Sequence, residues 1–168
     1  MTVWSTTVPA DSAVANTLAT ASFYDAHTAP LHDASLSPAD IAARLLHATP
    51  AWANTLMRVR NAIVRRIGLK DVGDLKLTIT KPAREIQSGD NVGIFKVFAV
   101  SDREILLGID DSHLDVRVSV TKSADTTHAI YTVSTVVHVH NWLGRLYMLP
   151  VARIHPIIVR AGMHRARV

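Results

Sequence analysis

From Leu114 to Thr121 apolar and polar residues alternate without a break. Leu114, Val116, Val118 and Val120 fall on one side of an extended chain, and Asp115, Arg117, Ser119 and Thr121 on the other. A period of two marks a half-buried strand. The same reading predicts strands over Phe95–Ser101 and Arg103–Asp110, joined by a turn at Ser101 and Asp102. A long strand follows from His128 to His140, after the turn-forming run Ser123–Thr127. An earlier strand spans Ser22–Leu31 and ends near Pro30, and Asp74–Thr80 is a weaker candidate. The connections among the later strands are short, which favours antiparallel neighbours.

Elsewhere the period lengthens to that of a helix. Ser37 stands as N-cap, with Pro38 at the first helical position and Asp40 in the capping-box place, predicting a short helix to about Ala48. Thr49 and Pro50 repeat the signal. Trp52, Leu56, Val59, Ile63 and Ile67 then form an apolar stripe opposite Asn54, Arg58, Asn61 and Arg65, and Gly68 is the natural stop. The last element is a long helix from Trp142 to Ala166. Leu143, Tyr147, Val151, Ile154, Ile158 and Ala161 make its predicted inward stripe, with Arg145, Arg153, Arg160 and Arg167 on the far side. Pro150 and Pro156 interrupt the pattern. Each costs about 3 kcal/mol in a regular helix, so a kink or break near one of them is expected.

The order is strand, two helices, several antiparallel strands and a long helix. It predicts an α+β fold of the helix-grip kind: a curved antiparallel sheet wrapped around the C-terminal helix, with the two short helices closing one end. A cylindrical helix fills a curved trough incompletely, which leaves space for a ligand. Residues 1–20, rich in Thr, Ala and Ser, read as a loosely ordered arm before a single domain over residues 21–168.

Composition narrows the chemistry. The 168 residues include no cysteine, which excludes disulfides, thiolate nucleophiles and cysteine-ligated zinc or iron–sulfur centres, and fits a cytoplasmic setting. The start lacks a basic segment followed by an apolar run, and no stretch is apolar enough to span a membrane. There is no glycine-rich phosphate loop and no internal repeat, so no cofactor is expected. The net charge of +4 is uneven, with no acidic residue after Asp125. The arginine face of the last helix would suit anionic lipid or an acidic partner, or serve only as a solvated surface. Nucleic acid is not expected, because no stacking aromatics are interleaved with the basic residues.

The segments Pro50–Leu69, Leu106–Val120 and Val136–Arg160 resemble a bacterial family of uncharacterised proteins, the domain-of-unknown-function 2867 family, and the likeness runs from about Ser22 to Arg165. The resemblance implies a fold similar to the START-like, birch-pollen-allergen-like and polyketide-cyclase-like superfamily. Members of that superfamily commonly bind lipids, sterols, polyketides or other apolar molecules, and some are cyclases or hydrolases. The family's recurring residues match Asp110, Asp111, His113, Leu114, Arg117, His140, Asn141, Gly144, Arg145, Tyr147 and His155, none with an assigned role.

Several residues are candidates for a site. His138 and His140 share one face of a strand, roughly 7 Å apart, a spacing that can hold a metal if His113 or His128 adds a third ligand. The plainer reading has one of them at the strand–helix corner and the other in solvent. His113, in the acidic run Asp110–Asp115, is a candidate acid or base, although Asp110 and Asp111 are also ordinary turn formers. Tyr147 and His155 are the polar groups expected nearest the interior, among Leu114, Val116, Val118, Val151 and Ile154, with Trp52 at the mouth and His140 beside it. Arg117 lies outside in an ion pair if the apolar face is the inner one; with the faces reversed it is a buried cation awaiting a carboxylate. Three functions follow: binding of a small apolar molecule, proton-transfer catalysis of the cyclase or hydrolase type through Tyr147, His113 or His155, or an interaction module using the basic helix face. Self-association is left open.

Overall fold

The computed structural model describes residues 2–50, 52, 82–124 and 129–168. The predicted second helix, beyond its start at Thr49 and Pro50 and apart from Trp52, lies outside them, as do the weak strand Asp74–Thr80 and His128. Seven strands form one antiparallel sheet: β1 (Trp4–Ser5), β2 (Phe23–Pro30), β3 (Asn91–Val92), β4 (Phe95–Val100), β5 (Glu104–Asp110), β6 (Leu114–Ala124) and β7 (Ala129–Val139), in the order β1-β2-β7-β6-β5-β4-β3. The helices α1 (Pro38–His47) and α2 (Trp142–Ala166) pack with the sheet in an α+β fold. β2 crosses the sheet to pair with β7 along its whole length, from Phe23 opposite Val137 to Pro30 opposite Ile130.

The alternation decides which side is covered. β6 pairs with β5 and β7 so that Val116, Val118 and Val120 stand beside Ile109, Leu107 and Ile105 and beside Val137, Thr135 and Val133. This is the inner face, against which both helices pack. α1 starts as its sequence predicts: the Ser37 side chain accepts from the Asp40 amide, and Asp40 Oδ2 accepts from the Ser37 amide at 3.0 Å. Its Ile41 and Ala42 are buried in the core with Ile105, Val120 and Met163. The far end of the same apolar face, at Leu114, Val116 and Val118, stays half-buried.

The outer face corrects the expectation of a loose arm. β1 pairs with β2, Val8 and Val14 are buried with Ala26 and Val136, and Ala15–Thr20 form a 3-10 turn that reaches β7. Ser12, only 4% exposed, donates to Glu104 Oε1 at 2.7 Å, and the Ala13 amide lies 3.0 Å from the other oxygen of that carboxylate. Small side chains let the arm lie close to the sheet, and its few valines are spaced to meet it.

The last helix excludes a break at either proline and corrects the predicted facing. It runs unbroken from Trp142 to Ala166 with both prolines inside. It is also turned by about one residue from the predicted stripe. Its buried residues are Gly144, Met148, Gly162 and Met163, while Leu143, Tyr147, Val151, Ile154, Ile158 and Ala161 are half-buried along its flank. Close approach is the reason. A Cβ on Gly144 would collide with the His113 carbonyl and lie 2.9 Å from Val139. At this end of the helix a glycine therefore faces the sheet, although a larger apolar residue, Leu143, precedes it.

Candidate functional site

The strand–helix corner accounts for the most conspicuous histidines. Asn141 caps α2 by accepting from the Gly144 amide at 3.0 Å, and its side-chain amide donates to His113 Nδ1 at 2.8 Å and to the Ser112 carbonyl at 3.2 Å. The His140 amide donates to the His113 carbonyl at 2.9 Å. His113 thus ties the β5–β6 turn to the start of α2. His140 Nε2 lies 3.1 Å from Asp115 Oδ2, and His138 Nε2 lies 3.1 Å from the Thr17 carbonyl. Among the described residues, no group of three or more His, Cys, Asp or Glu side chains could hold a metal ion.

Arg117 lies on the outer face. Its Nη2 is 2.7 Å from Asp110 Oδ1, and the guanidinium stacks 4.0 Å above the Phe98 ring. It crosses Gly108, where a Cβ would sit 2.6 Å from the Val116 carbonyl and 3.0 Å from the Arg117 side chain. Trp52 is exposed. Of the predicted interior groups, Tyr147, Val151 and Ile154 line the half-buried flank of α2, and His155 reaches the sheet.

His155 meets a cluster that the sequence does not advertise. β2 turns Phe23, Asp25, His27 and Ala29 toward the helices, opposite Val137, Thr135, Val133 and Tyr131 of β7. His155 Nδ1 donates to Asp25 Oδ2 at 3.0 Å, because a carboxylate can only accept, and its ring packs edge-on against Phe23 with centroids 5.8 Å apart. His27 Nε2 lies 3.5 Å from the same Asp25 oxygen, too far for a hydrogen bond. A carboxylate therefore stands between two imidazoles on the inner face.

This cluster is under-satisfied. Among the described residues, Asp25 Oδ1, both ring nitrogens of His27 and the Tyr131 hydroxyl are buried and find no hydrogen-bond partner. His27 is 3% exposed and Tyr131 is fully buried, one inward position away on the neighbouring strand. Burial lowers the His27 pKa below its ordinary 6.5; Asp25 opposes this, and Arg160 and His155 add to it. Burial likewise pushes the Tyr131 phenol above its usual range. Both groups are neutral near pH 7, each with donor and acceptor capacity unspent.

A family model described as "Protein of unknown function (DUF2867)" matches residues 17–162. The chain belongs to this family. The DUF2867 match takes in the strand–helix corner and all four members of the inner cluster, Asp25, His27, Tyr131 and His155. No curated protein and no solved structure matches the chain.

The cluster was missed for a definable reason. Asp25 and His27 sit in a strand whose alternation is broken by small residues, and Tyr131 lies in a β-branched run where it reads as core. His155 was visible as the edge of a helical stripe. The one available signal was the Asp-x-His spacing, which puts both side chains on one strand face.

Proposed function

We propose that the protein binds a small, mostly apolar molecule between the inner face of the sheet and α2, with Asp25, His27, Tyr131 and His155 engaging its polar end. The observation that carries this reading is the group of buried polar atoms that find no partner among the described residues. Each such atom costs on the order of 1–3 kcal/mol, and groups left in this state call for a ligand or an ordered water to satisfy them. The apolar part of the molecule would lie along the half-buried Leu114, Val116 and Val118. A mostly apolar wall with a few converging polar groups suits a ligand that needs orientation as well as burial. The resemblance to the START-like superfamily points the same way.

Thermal-shift measurements with fatty acids, sterols and aromatic polyketides, together with native mass spectrometry of gently purified protein, test the reading. Ligand at a hundred times its Kd should stabilise the fold by about 2.7 kcal/mol. His27→Leu should abolish that gain while leaving the unliganded fold intact. No bound species and no shift across all three classes would remove the proposal.

One observation favours a second reading, proton-transfer catalysis of the cyclase or hydrolase type. Asp25 accepts from His155 Nδ1, the contact by which a carboxylate orients an imidazole for acid–base work and leaves Nε2 to exchange a proton. In this reading His155 takes the catalytic role, and His113, held by Asn141, serves the corner. Turnover of a bound ligand, lost in His155→Gln with binding retained, would distinguish catalysis from carriage.

A further inference from the structure

The side of α2 turned away from the sheet is the most unusual surface among the described residues. Trp142 is 73% exposed, Leu146 55%, Leu149 59% and Ile157 59%. At about 100° per residue these four positions fall in one narrow sector, and Arg153 and Arg160 fall in the same sector. Arg145 and Arg167 border it and are also exposed. None of these arginines forms a salt bridge among the described residues, and α2 contains no acidic side chain. Its 25 residues make a rod roughly 37 Å long.

We infer that this face docks on an anionic lipid bilayer, with α2 lying in the plane of the interface. The alternation of large apolar side chains with arginines along one convex line is what such a surface requires. The apolar groups enter the acyl boundary, while the arginine stems lie beside them and carry the guanidinium groups to the phosphates. Trp142, at one end of the row, has the ring type favoured at that depth. A second copy of the chain fits poorly, since pairing this face with itself sets arginine against arginine with no carboxylate on the helix to separate them. Among the described residues no helix is long and apolar enough to cross a membrane, so the association is peripheral. The inference does not depend on the ligand reading, because it rests on the opposite side of the helix.

Co-sedimentation of the full chain with vesicles tests it. Vesicles of phosphatidylcholine mixed with phosphatidylserine should bind the protein, vesicles of phosphatidylcholine alone should bind it weakly or not at all, and added salt should weaken the association. Arg145→Glu combined with Arg153→Glu should reduce affinity for the mixed vesicles by roughly tenfold or more. Leu146→Asn combined with Leu149→Asn should weaken binding while preserving its salt dependence. All four positions are exposed, so circular dichroism should be unchanged. Three results would overturn the inference: no binding to mixed vesicles at low salt, binding indifferent to both double variants, or capture by an acidic polypeptide such as polyglutamate without capture by vesicles.

Discussion

Two groups of histidines in this protein have opposite characters. At the strand–helix corner His113 meets Asn141 and His140 meets Asp115, while His138, further back on β7, meets the arm at Thr17. Each side chain there has one ring nitrogen held by the protein. On the inner face His27 is more deeply buried than any of these, and neither of its nitrogens has a partner among the described residues. The two groups thus differ in hydrogen-bond satisfaction as well as in burial. A group whose bonds are complete holds the fold, whereas a buried group with bonds outstanding reserves them for something else. Among the described residues the outer face has one comparable gap, the Ser134 hydroxyl, with no second unsatisfied side chain beside it.

The contrast can be broken most forcefully at the corner. Gly144→Ala should destabilise by about 2–3 kcal/mol in urea or thermal unfolding, since the new Cβ meets backbone at the His113 carbonyl and a packed Val139. A cost below about 0.5 kcal/mol, the range of ordinary surface substitutions, would mean that the corner is looser than its hydrogen bonds indicate.

Tyr131→Phe should act in the other direction and more weakly. It deletes a hydroxyl that has no partner and keeps the ring, so stability should be unchanged or rise by up to about 1 kcal/mol. Ligand affinity should fall in the same variant. A loss of more than 1 kcal/mol would show that the hydroxyl is satisfied within the fold and that the inner cluster belongs with the corner.

The smallest effect is a pH slope. Because the folded His27 pKa lies below 6.5, the unfolded chain binds the proton more readily between the folded value and 6.5. Stability should therefore be level with respect to this group above pH 6.5 and fall as the pH drops below it. In His27→Leu the slope through that window should be shallower. Equal slopes in both proteins would assign the acid sensitivity to other groups.

Legibility follows the range of the interactions. The strands from Phe95 to Val139 could be read because period-two alternation is a local property that the sheet uses, interrupted only by a register shift between Val97 and Ala99 where β4 pairs with β5. The Ser37 capping box and the bounds of α2 could be read for the same reason. The facing of α2 could not. Apolar side chains stand nearly all round it, and the choice among them is made by the approach of a backbone carbonyl from His113, thirty-one positions before Gly144. The arm was misjudged because a run of Thr, Ala and Ser carries no periodicity, although small residues suit it to lie flat against a sheet.

The sequence by itself determined an α+β chain with an antiparallel meander, a capped first helix and a long last helix with an arginine face, since those depend on neighbours a few residues apart. Only the tertiary structure decided that Asp25 stands between His27 and His155, 130 positions from the latter, and that large apolar side chains share the solvent side of α2 with the arginines. Those outcomes depend on which of several equally apolar surfaces can pack most closely. Steric fit between distant segments settles that choice, and residue pattern along the chain does not carry it.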